Sequence, residues 1–137
     1  MGLIVDTSIL IAAERRRDSI ASIMGSLRAV SGDDYVAASA ISVVELTHGI
    51  YRAKTTFDAA RRKLFVEEAF LHLIVHPVSF EIARLAGRIE GEQAAKGIRI
   101  ELQDLVIGVT ALHLGYDVAT LNVKHFKLIP GLNIVSL

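Results

Sequence analysis

The chain has 137 residues, of which 52% are hydrophobic and 22% charged, enough apolar material for one core and too much for a disordered segment. Its 15 Lys and Arg balance 15 Asp and Glu, which excludes adhesion to nucleic acid by bulk charge, although Arg15–Arg17 and Arg61–Lys63 form local basic runs. Cysteine is absent, so disulfides and thiolate metal sites are excluded.

The opening stretch "GLIVDTSIL" reads as a short buried strand over Leu3–Val5 that ends on Asp6. It does not read as a signal peptide, because Asp6 interrupts the apolar run and the positive charges come after it. No apolar run is long enough to span a bilayer, so no membrane segment and a cytoplasmic location are expected. Ser8 is predicted to cap a helix running to about Arg16. Asp18 is predicted to cap a second one, with Ile20, Ile23, Met24 and Leu27 on one face and an end near Gly32. "YVAASA" (Tyr35–Ala40) reads as a second strand. Ser42 opens a helix through "VVELTHGIYRA", and Asp58 opens another that is apolar at Leu64, Phe65 and Phe70.

"LIVHPV" (Leu73–Val78) reads as a third strand, stopped by Pro77. A helix from about Ser79 to Lys96 follows, with Ile82, Leu85, Ala86 and Ile89 inward and Gly97 as its stop. "LQDLVIGVTALHLG" forms another, closed by Gly115. Asp117–Leu121 reads as a fourth strand and "NIVSL" as a fifth. Short apolar strands alternating with helices predict a three-layer α/β/α domain over residues 1–137, built on a short, mainly parallel sheet.

Four polar positions stand inside apolar sequence: Asp6, Glu45, Asp104 and Asn122. Each has a purely local reading. Asp6 suits a helix cap or an Asx turn. Ser42-x-x-Glu45 matches a capping box. Asp104 suits the positive end of a helix dipole, and Asn122 suits a turn. Taken together they say more. Ligands in open α/β sheets sit beyond the carboxyl ends of the strands, where Asp6 and Asn122 are both expected. Three carboxylates converging there repel unless protonated. A hard divalent cation removes that conflict with oxygen ligands alone: Mg²⁺ fits best, with Mn²⁺ as a substitute.

"IVDTSIL", "ISVVELTHGI" and "ELQDLVIGVTALHLGYDVATLNVKHFKLIPGL", in this order and spacing, resemble PIN-domain ribonucleases. The likeness is greatest to the VapC-type toxins of prokaryotic toxin–antitoxin pairs, and it spans about Leu3 to Leu132. It implies a PIN-like fold and metal-dependent hydrolysis of RNA phosphodiester bonds. Asp6, Glu45 and Asp104 would be ligands of Mg²⁺ or Mn²⁺, and the products would carry 5′-phosphate and 3′-hydroxyl ends. A cognate antitoxin and a homodimer are implied as well, with Ile9, Leu10, Ile11 and Tyr51 as candidate groove residues. In the family's "T-x-[D/N]-x-x-[D/E/H]-F" stretch this chain has Thr120, Asn122, His125 and Phe126, so the fourth acid is missing. Asn122 then becomes the candidate for orienting a carboxylate or water, and Thr7 and Ser8 for supporting Asp6. His48 falls three residues after Glu45 and has a surface reading beside an RNA-contacting one, as does His125. A nuclease of RNA maturation and a catalytically silent protein-binding module are the alternative functions.

Overall fold

The computed structural model describes residues 2–32 and 35–137. In chain order the elements are β1 (Leu3–Val5), α1 (Thr7–Arg16), α2 (Ile20–Ser31), β2 (Val36–Ser39), α3 (Ala40–Tyr51) and α4 (Thr56–His72). There follow β3 (Ile74–His76), α5 (Phe80–Ala94), α6 (Leu102–Leu114), β4 (Asp117–Thr120), α7 (Val123–Phe126) and β5 (Ile134–Ser136).

The five strands pair in the order β3-β2-β1-β4-β5, and every pairing is parallel. The sheet grows from β1 outward to β2 and β3, then the chain crosses back to lay β4 on the other side of β1. The order therefore reverses between β1 and β4, where Leu3 to Val5 lie in register with Asp117 to Ala119. Such a switch point opens a crevice at the carboxyl ends of the two strands.

Alternation along β1 divides the core. Leu3 and Val5 face one layer with Leu10, Ile20, Leu27, Val66 and Ala69. Ile4 faces the other, with Ile82, Leu105, Ile107, Val109 and Phe126. Helices α1, α2 and α4 thus cover one face, and α5, α6 and α7 cover the other. Residues Leu105 to Ala111 of α6 are all buried, so this apolar-all-round helix is the spine of its layer.

The helix starts differ from the sequence reading. Helix α1 begins at Thr7, so Ser8 lies inside the first turn and Asp6 occupies the cap position. Ser19, not Asp18, caps α2 by accepting from the Ser22 N–H, while Asp18 pairs with Arg16. Ser39, the last residue of β2, caps α3 by accepting from the Ile41 N–H. Ser42 is therefore a buried interior residue, and the capping-box role for Glu45 disappears. Thr55 rather than Asp58 caps α4, and Leu64 projects into solvent. In each case a hydroxyl nearer the preceding segment reaches the free N–H groups first. The one-turn helix α7 was not legible from the sequence. The expected stops hold: Gly32, Gly97 and Gly115 all have positive φ. Arg17, which ends α1, adopts φ 61° and is the non-glycine residue in that region among those described.

Candidate active site

Asp6 is 3% exposed, and its carboxylate does not cap the helix that it begins. Two hydroxyls donate to its Oδ2 instead: Ser8 at 2.6 Å and Thr120 at 2.7 Å. Each hydroxyl accepts in turn from a backbone N–H of the loop after β4. Leu121 donates to the Ser8 Oγ at 3.2 Å, and Asn122 donates to the Thr120 Oγ1 at 2.8 Å. Two short relays thus run from one loop to one carboxylate oxygen. Charge-assisted bonds of this kind compensate much of the cost of burying the carboxylate. The Asp6 N–H donates to the Ala119 carbonyl at 2.9 Å, which locks the end of β1 to β4.

Glu45 lies in the second turn of α3 and is half-buried. Its Oε1 accepts from the Thr7 hydroxyl at 2.8 Å. The hydroxyl next to Asp6 is thus committed to a different carboxylate, and Thr7 bridges the first and third helices rather than supporting Asp6.

Asp104 sits in the first turn of α6, where the helix dipole favours an anion. Its Oδ2 lies 3.0 Å from the Nδ1 of His125, which α7 presents from across the crevice. Burial pushes the Asp104 carboxyl above its ordinary value. The hydrogen bond and charge of His125 oppose that shift, while repulsion from Asp6 and Glu45 adds to it. Asp104 therefore senses the charges of both Asp6 and Glu45. Among the described residues, no three His, Asp or Glu side chains converge closely enough to chelate one ion together.

Asn122 is exposed and is joined to this group through its backbone N–H, by way of Thr120. Its side chain makes no cap bond at the start of α7. His48 is exposed on α3, and Tyr51 is 83% exposed. Ile9, at 6% exposed, is a core residue, whereas Leu10 and Ile11 face a cavity between α1, α3 and α4. Thr120 and the His125–Asp104 bond went unassigned in the sequence reading. Their signal lay in the "ATLNVKHF" segment, once its fourth polar position is taken as a donor to a carboxylate rather than as another acid.

The fold and this edge define an α/β protein with a carboxylate-bearing edge at a topological switch point. The chain belongs to the PIN domain family, whose model matches residues 3–132. It is 35% identical over 136 residues to "Ribonuclease VapC" of Rickettsia bellii, covering 99% of this chain and 96% of that one. It is 28% identical over 130 residues to "Ribonuclease VapC19" of Mycobacterium tuberculosis, covering 94% and 95%. The fold is shared with VapBC2 of Rickettsia felis, crystallised on a promoter DNA fragment, at TM-score 0.86 and 23% identity over 100% and 99% of the two chains. It is shared also with DNA-bound VapBC of Salmonella typhimurium, at TM-score 0.84 and 24% identity over 99% and 98%. Among the described residues, no helix is long and apolar enough to cross a membrane.

Proposed function

We propose that this chain is a single PIN domain acting as a divalent-cation-dependent endoribonuclease, the toxin of a toxin–antitoxin pair. The observation that carries the reading is that Asp104 is within electrostatic reach of both Asp6 and Glu45, although the three come from separate elements. The relatives named as ribonucleases match nearly end to end, which brings the RNA-cleaving activity and the antitoxin partner into the proposal. A homodimer belongs to the same reading.

The donor set fits Mg²⁺ or Mn²⁺. All candidate ligands are carboxylate oxygens, and the Asp104 carboxyl, raised chiefly by burial and further by repulsion from Asp6 and Glu45, would be favoured in its ionised form by a cation. Mg²⁺ commonly takes only one or two carboxylates directly and keeps several waters, so it does not need all three to converge on it. Asp6 and Asp104 would hold the ion, with Glu45 beside them. When bound, a divalent cation lowers the pKa of water and offsets charge on a scissile phosphate.

The protein's own residues prepare that chemistry. Ser8 and Thr120 fix Asp6 through Oδ2 alone, and among the described residues no hydrogen bond engages its Oδ1. Thr7 holds Glu45, and His125 holds Asp104 through one oxygen. Such supporting groups keep ligands oriented before anything binds, which reduces reorganisation during the reaction. No histidine needs to act as general base.

Incubating the antitoxin-free protein with total cellular RNA in Mg²⁺, in Mn²⁺ and in EDTA, then mapping new 5′ ends, tests the reading. Discrete metal-dependent cuts are expected. A folded protein that makes no cuts in either metal would refute the ribonuclease assignment and leave the binding-module alternative.

A further inference from the structure

A cavity of about 90 Å³ lies between α1, α3 and α4, and Glu45 forms part of its wall. Leu10, Leu46, Phe65 and Val66 make its apolar lining, and Arg15 and Arg52 stand at its mouth. We propose that this cavity receives one unstacked base of the RNA strand, adjacent to the phosphate at the carboxylate edge. The inference rests on the ribonuclease reading and adds a site of sequence preference to it.

Charge accounting around the cavity supports an RNA occupant. Glu14 is buried, and its Oε1 lies 3.3 Å from Arg61 Nη1 and 3.5 Å from Arg62 Nε. Arg62 also donates from Nη1 to the Gly49 carbonyl at 2.8 Å. Those two guanidiniums are therefore committed to holding α4 against α1 and α3. Arg15 and Arg52 are exposed and pair with no carboxylate among the described residues. Two uncommitted cations at the mouth of an apolar slot, with an acidic edge next to it, match a nucleotide: base inside, phosphates at the rim. Proteins that read single-stranded RNA commonly splay bases onto aromatic rings, and Phe65 supplies one in the lining.

The cavity is open partly because residue 49 has no side chain. A Cβ placed on Gly49 meets nothing within 4 Å, and Gly49 lies within α3, where other residues are tolerated. Gly49→Leu thus adds bulk at the cavity wall from a position with room for a Cβ. Arg52→Ala removes a rim cation and lies on the surface, so it provides a second variant free of packing effects.

The probe is a short single-stranded RNA centred on a mapped cut, together with copies carrying one abasic nucleotide at each position beside the cut. Cleavage efficiency, kcat/KM, is measured in Mg²⁺ for the wild type and both variants. In the wild type, one abasic position should lower efficiency by about fivefold or more, the lower end of what stacking one base contributes. Gly49→Leu should bring the parent RNA down to that level and erase the difference between parent and abasic copy. Arg52→Ala should weaken both RNAs by the same factor. A flat abasic series, or Gly49→Leu cleaving the parent as the wild type does, would overturn the assignment. If Gly49→Leu leaves RNA cleavage intact but loses a co-expressed antitoxin, the cavity takes a protein side chain and the RNA proposal falls. Absence of any cleavage by the wild type would instead refute the ribonuclease reading on which the pocket depends.

Discussion

Thr120→Val removes one hydroxyl from the buried end of β4 while keeping its shape. Thr120 is fully buried and its hydroxyl donates to Asp6 Oδ2 at 2.7 Å. A hydrogen bond to a charged group contributes about 1.5–3 kcal/mol. The Asn122 N–H also loses its acceptor, but it lies on an exposed loop and water can replace much of that bond. The added methyl returns about 0.8 kcal/mol of apolar burial. The net expectation is a loss of about 2 kcal/mol, or roughly 6–10 °C in Tm for a domain of this size. Urea unfolding in EDTA at neutral pH measures it without interference from bound metal. A double-mutant cycle with Asp6→Asn should return a coupling of about 1 kcal/mol, since the two side chains touch. A Thr120→Val change below about 0.5 kcal/mol, the level of an ordinary surface substitution, would refute the claim that this hydroxyl relay supports the buried carboxylate.

Burial raises the Asp104 carboxyl above 3.8, so its ionised form is disfavoured in the folded state and stability without metal should fall as pH rises past that value. Asp104→Asn should therefore be more stable than wild type in EDTA at neutral pH. The gain should shrink as pH falls and vanish only below 3.8, where the wild-type carboxyl is protonated folded and unfolded alike; urea midpoints across that range report it. Gly108→Ala would set a methyl against Ile129, Leu132 and Phe126, with Ile129 itself 2% exposed. The resulting strain should outweigh the helix-propensity gain and cost about 1 kcal/mol by thermal unfolding. Arg17 holds a left-handed conformation that glycine adopts freely, so Arg17→Gly should add about 0.5–1 kcal/mol of stability by the same measurement.

Much of the fold was legible because its strands are short apolar runs and its helices carry one-sided apolar periodicity. The face Ile20, Ile23, Met24 and Leu27 is buried, as the spacing predicts. Helix starts were less legible, since Ser, Thr and Asp cluster before each helix and only three-dimensional reach decides which one caps. Ser39 takes α3 because β2 runs straight into it, and that single fact removes the local explanation for Glu45. The supporting hydroxyls divided in a way that spacing cannot reveal. Thr7 and Ser8 are adjacent, yet helical rotation sends one to Glu45 and the other to Asp6. Thr120 reaches Asp6 from 114 positions away because β1 and β4 are neighbours, a pairing that depends on the whole topology. His125 had no signature of its own, since a one-turn helix is too short to show a period.

The central claim is that the carboxylate edge cleaves RNA with a divalent cation. Its most direct test is single-turnover cleavage of one mapped RNA by wild type and Asp6→Asn in saturating Mn²⁺, with Mn²⁺ binding followed on the same samples by calorimetry. A folded Asp6→Asn protein should bind Mn²⁺ at least about tenfold more weakly and cleave at least about a hundredfold more slowly. Wild-type cleavage rate and Mn²⁺ affinity in that variant would contradict it.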